Sequence, residues 1–167
     1  MIYSKHIFIA FLIIFSSAAS GQEQEVESRM EKVISNWHDA AAKADFETYS
    51  SLMTDDAIFI GTDPTEYWKG KEFRDFAKPY FDRGKAWTFY TIKRNIFVDN
   101  NYKFAWFDEL LETQMGLCRG SGVLVKTENQ WKINHYVLSI TIPNENVDEV
   151  KGLKAAFETK FIQSLKN

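Results

Sequence analysis

The stretch Phe104–Asn144, FAWFDELLETQMGLCRGSGVLVKTENQWKINHYVLSITIPN, decides the fold. Apolar and polar residues alternate through much of it with a period of two, the pattern of half-buried strands. It divides into three consecutive strands. A tight turn near Met115–Leu117 joins the first two, and a second at Glu128–Asn129 joins the next pair. Working outward, Ala86–Val98 keeps the same period, and Asp99–Asn101 turns it into the strand Tyr102–Gln114, so four strands make an antiparallel meander. Strands longer than about ten residues favour a strongly curved sheet, because long flat sheets are rare. Large apolar groups occupy both faces, with Val123, Val125, Leu138 and Ile140 on one and Leu124, Trp131, Ile133 and Val137 on the other. Helices can cover one face. A second copy of the chain is the simplest cover for the other.

Upstream of the meander the period is 3.6. Met30, Val33, Ile34, Trp37, Ala41 and Ala44 draw one apolar stripe along a helix over Glu23–Ala44. Asp45 caps a shorter helix whose buried side is Phe46, Tyr49, Leu52 and Met53. Thr54–Asp56 breaks the pattern, Ala57–Ile60 reads as a short buried strand, and Gly61–Pro64 as a turn. A third helix covers Lys71–Arg83, with a kink or an early end expected at Pro79 and a stop at Gly84. After Pro143 closes the last strand, Asn146–Glu149 has the form of a capping box for a C-terminal helix lined by Val150, Leu153, Phe157 and Phe161. Helices grouped beside an antiparallel sheet define an α+β fold.

The chain has 167 residues, one domain's worth, with 16% aromatics and a net charge of −3. No basic face is evident, which argues against nucleic acid as a partner. Residues 1–21 carry Lys5, then the apolar run Ile7–Phe15, then small residues with Ala19 and Gly21 before Gln22. That run is too short to span a bilayer, which takes about 20 residues. It fits a secretory signal peptide, whose removal would leave a secreted or periplasmic chain without a membrane anchor. Cys118 is the one cysteine, so no intramolecular disulfide forms. It reads as a small buried strand residue.

TDDAIFIGTDPTEYWKGK (54–71), AWTF (86–89), AWFDE (105–109), RGSGVLVK (119–126) and WKINHYVLSITIPN (131–144), in that order and spacing, resemble the nuclear transport factor 2-like superfamily in its SnoaL-like branch. The resemblance spans about residues 25–144 and leaves 145–167 as a C-terminal helix. It implies a cone, a curved antiparallel sheet wrapped around N-terminal helices in the cystatin-like manner, with a pocket at the wide end and frequent dimerisation through the sheet. Relatives include isomerases, dehydratases, cyclases, epoxide hydrolases and non-catalytic association domains. Fold alone does not choose among them. Val137 stands where many relatives carry a second polar residue two places after His135.

Several residues qualify for chemistry. Asp108, Glu109 and Glu112 face Arg119 across a short turn, and a one-residue change of register decides whether Asp108 or Glu109 shares its face. Arg119 would orient an anionic ligand, and a carboxylate shielded by tryptophans would serve as general acid or base. His135 is a proton-shuttle candidate, His38 borders the helix stripe, and Asp56 resembles the acidic position after the second helix in many relatives. Each has a structural alternative as an ion pair, a core or interface histidine, or a helix-end cap. Tyr67, Trp68, Trp87 and Trp106 make a wall for a flat ligand, with Ser121 beside Arg119 on the strand. RGSGV lacks the nucleophile-elbow pattern, two histidines beyond the leader and one cysteine give no metal-ligand spacing, and no glycine-rich loop opens a helix for phosphate. Neither cofactor nor metal is expected. Two readings remain: a ligand-binding or association domain, usually a homodimer, and a cofactor-free acid–base enzyme using Asp56 or Asp108, His135 and Arg119.

Overall fold

The computed structural model describes residues 24–166. Helix α1 occupies residues 24–42 and buries Met30, Ile34, Trp37 and Ala41, the stripe drawn from its sequence. Helix α2 (Phe46–Ser51) starts at Asp45, whose carboxylate accepts the Thr48 N–H. Strand β1 (Met53–Ile60) and the short β2 (Tyr67–Lys69) follow, then helix α3 (Lys71–Asp82). The meander is β3 (Phe89–Val98), β4 (Phe104–Thr113), β5 (Gly116–Thr127) and β6 (Gln130–Ile140). Helix α4 (Val147–Lys166) closes the chain.

These strands form one six-stranded sheet in the order β2-β1-β6-β5-β4-β3. The meander is antiparallel throughout, as its alternation requires, and β1 joins it alongside β6 in parallel. The polar stretch Thr54–Asp56, expected to precede the strand, lies within β1. Helix α3 continues three residues past Pro79, so the early end expected there does not occur. It stops at Arg83, and Gly84 follows with φ at 71°. Glu128 and Asn129 both take positive φ, the two-residue hairpin turn that matches the twist of flanking strands.

Two register details differ from the sequence reading. The β4–β5 turn sits on Gln114 and Met115, one step earlier than expected, with Thr113 opposite Gly116. Arg119 therefore lies opposite Leu110, and Asp108 rather than Glu109 shares its face. In β6 the pairing slips: Ile133 faces Leu124, but His135 faces Val123, leaving Asn134 as an extra residue. Such a bulge reverses which side chains point inward beyond it. Tyr136 and Leu138 are consequently buried, whereas strict alternation from Ile133 would have buried His135 and Val137.

The inner face packs on the helices through Phe59, Phe107, Leu111, Leu124, Ile133 and Tyr136. The outer face leaves Phe97 and Trp106 about half exposed and stacked on each other. Helix α4 buries none of its residues, and Leu153 and Leu165 are open to solvent.

Candidate functional site

Glu109 points inward from β4 and is completely buried. An isolated carboxylate at such depth would be very costly. Here three hydrogen bonds and an ion pair surround it. Oε1 accepts from His38 Nε2 on α1 at 2.8 Å and from the Tyr136 hydroxyl on β6 at 2.9 Å. Oε2 accepts from Arg94 Nε on β3 at 2.9 Å, and the guanidinium Nη2 stands 2.8 Å away as an ion pair. An ionised carboxylate only accepts, so the His38 proton facing it resides on Nε2. Burial pushes the Glu109 carboxyl up, but the His38 hydrogen bond and charge, with the Arg94 guanidinium behind them, outweigh it and hold the carboxyl below its ordinary range. Tyr136 is driven well above the ordinary tyrosine value, first by burial and then by the adjacent Glu109 charge. Both directions keep the glutamate ionised and the phenol protonated.

Arg94 carries this cluster outward. Its Nη1 donates to Glu31 at 2.6 Å and Ser35 at 3.0 Å on α1, and its Nη2 also donates to Thr91 at 2.8 Å. Four of the five guanidinium N–H groups are thus hydrogen-bonded. The inner-face glycines of R-G-S-G make the room. A Cβ on Gly120 would come within 3.0 Å of the Tyr136 hydroxyl and 2.9 Å from Glu109 Oε1, and one on Gly122 would come 2.6 Å from the Phe107 ring.

A cavity of about 170 Å³ opens between α3, β2 and the β4–β5 turn. Its wall is Phe59, Trp68, Phe73, Phe76, Tyr80, Trp87 and Phe89, with Leu138 and Met115. Glu66 is the one charged side chain among its lining residues. The Glu109 cluster lies behind this wall. Phe89 packs edge-on against the His38 ring (5.5 Å between centroids), and Phe59 lies 5.6 Å from Tyr136.

Of the residues picked from sequence, Trp68 and Trp87 line the cavity. Tyr67 does not: it alternates with Trp68 along β2 and is 58% exposed. Trp106 is on the outer face against Phe97. Arg119 and Ser121 are exposed on the outer face, Ser121 opposite Asp108. Asp108 accepts from Asn95 at 2.9 Å, and His135 is half-buried opposite Val123. Asp56 is exposed on β1 within 3.4 Å of Asn134 Nδ2. Asp56, Asp108, His135 and Arg119 therefore do not converge on the cavity, and the expected acid–base set is not assembled. Sequence reasoning missed Arg94 and Tyr136 and treated His38 as marginal. One signal was available: Glu31, Ser35 and His38 recur at four- and three-residue steps, a polar stripe beside the apolar one on α1.

The SnoaL-like domain family matches residues 30–143, well over half of the sequence. The chain belongs to the SnoaL-like domain family. No curated protein matches it. This SnoaL-like chain is similar in structure to a nuclear transport factor 2-like protein of unknown function from Pseudomonas putida, at 14% identity over 74% of this chain and 92% of that one, with a TM-score of 0.63. It is also similar to a dehydratase candidate of the same superfamily from Streptomyces avermitilis, at 15% identity over 72% and 99%, TM-score 0.59. A third likeness is to a candidate calcium/calmodulin-dependent kinase II association domain from Xanthomonas campestris, at 15% identity over 69% and 86%, TM-score 0.52. Identities this low establish the SnoaL-like cone and no activity.

Proposed function

We propose that this SnoaL-like domain binds one small organic molecule in its aromatic cavity without transforming it. The supporting observation is the separation of the two features. The cavity wall carries seven aromatic rings, while the buried carboxylate with perturbed ionisation is hydrogen-bonded by its own neighbours and walled off by Phe59 and Phe89. A general acid or base must reach the proton it transfers. Glu109 is closed to solvent, and Asp56, Asp108 and His135 lie on other surfaces. A cavity of about 150 Å³ holds one benzene, so this one suits a single ring or a compact alkyl head.

In the same reading residues 1–21 are a leader and the domain works outside the cytoplasm. Two copies meet over the outer sheet face around Phe97, Trp106, Val123 and Val137. That face measures roughly 25 Å by 30 Å from strand spacing and rise, close to the area that each partner of an ordinary interface buries.

Native mass spectrometry of protein purified from its own source tests these points together. The expected spectrum shows a dimer with one small adduct per chain, and Leu138→Trp, which fills the cavity, removes the adduct. An empty monomer overturns both the ligand and the assembly. Conversion of the co-purifying molecule on incubation would favour the acid–base enzyme instead.

A further inference from the structure

From the make-up of the cavity we infer that its guest is a small organic cation, an amine or quaternary ammonium; this rests on the ligand-binding reading above. Aromatic faces carry negative π density and attract a cation within about 6 Å of the ring centre, most strongly for tryptophan. Trp68 and Trp87 contribute indoles to the lining, and Phe73, Phe76 and Tyr80 add further rings. Tyr80 already holds the Arg83 guanidinium 4.7 Å above its ring, which leaves the indoles and phenylalanines for the guest.

Glu66 is the sole charged lining residue, and it is half-buried. Its Oε2 accepts the Asp63 N–H at 3.1 Å, and among the described residues no lysine, arginine or histidine pairs with it. The carboxylate folds over Gly61, where a Cβ would run into it, so the glycine is what allows the acid to lie against the cavity. A neutral apolar guest would strip water from this carboxylate and return nothing. An ammonium group returns a charge interaction and the ring contacts together.

Choline and its neutral carbon isostere, 3,3-dimethyl-1-butanol, separate charge from shape. Isothermal titration calorimetry of the full protein is expected to give choline about tenfold or greater preference over the isostere, the size of a desolvated cation–π and charge contribution. Glu66→Gln keeps the Asp63 N–H acceptor and should weaken choline about tenfold while changing the isostere less than about twofold. Trp68→Leu should weaken choline more than the isostere. Equal binding of the two probes, tighter binding of the isostere, or a choline preference that survives Glu66→Gln overturns the cation inference and leaves the cavity as a neutral-guest site. If neither probe nor any single-ring compound binds, the cavity reading fails with it.

Discussion

Gly120→Ala should damage the protein chiefly through the Tyr136 hydroxyl, the atom its methyl group strikes hardest. The added methyl group would stand within 3.0 Å of the Tyr136 hydroxyl and 2.9 Å from Glu109 Oε1 and Cγ, closer than carbon packs against either. Tyr136 and Glu109 are both fully buried, so neither side chain can swing into solvent. Overpacking of this kind costs about 1–3 kcal/mol. If the ring moves aside, its 2.9 Å bond to the carboxylate is lost, about 1.5–3 kcal/mol for a bond to a charged group. Replacing glycine by alanine in a strand returns only about 0.5–1 kcal/mol. The net loss expected from urea unfolding is about 2–5 kcal/mol. The double-mutant cycle with Tyr136→Phe isolates the mechanism. With the hydroxyl already gone, Gly120→Ala should cost about 1 kcal/mol, giving non-additivity of at least 1 kcal/mol. Costs that add to within about 0.5 kcal/mol would show that the hydroxyl is not what the methyl group strikes, and the steric reasoning would be wrong.

The same cluster sets an acid response. Because the folded-state carboxyl of Glu109 lies below its unfolded value near 4.5, the unfolded chain binds more protons in the window below that value. Its contribution is present above pH 4.5 and disappears as pH falls through the folded value, so wild type should lose stability more steeply than Glu109→Gln on acidification from pH 5; parallel curves would contradict this. Arg94→Met leaves Glu109 without its permanent cation and should cost about 3–5 kcal/mol in urea unfolding, less in the Glu109→Gln background. Equal costs in both backgrounds would show that Arg94 acts through Glu31 and Ser35 instead. Truncation after Asn146 removes a helix that buries no residue, so the unfolding free energy of the domain should change by less than about 0.5 kcal/mol. A larger drop would mean that α4 packs on the domain in solution.

Sequence patterns reached the fold through residues whose effects are local. The α1 stripe, the Asp45 cap and the Glu128–Asn129 hairpin depend on neighbours within a turn, and the resemblance supplied the cone. What stayed hidden depends on pairings over long sequence distances. One extra residue at Asn134 turns His135 out and Tyr136 in, and period-two alternation carries no mark of a bulge. The Gln114–Met115 turn fixes which carboxylate of Asp108–Glu109 is inside, yet Met115 and Gly116 suit either register. Arg94 meets Glu109 only because β3 and β4 pair across the Asp99–Lys103 connection, which the Asp99 carboxylate holds by accepting the Lys103 and Phe104 N–H groups. The R-G-S-G segment offers chemistry in its arginine and serine, both exposed on the outer face. Its structural content is in its glycines.

On the function proposed above, the aromatic chamber takes a guest while the Glu109 cluster remains sealed behind it. An NMR titration with choline that follows the indole signals of Trp68 and Trp87 and the ring signals of His38 tests both halves at once. Saturable shifts of the two indoles with the His38 ring signals unmoved are the expected result. Shifts at His38 that track guest concentration, or indoles that never move, would contradict it.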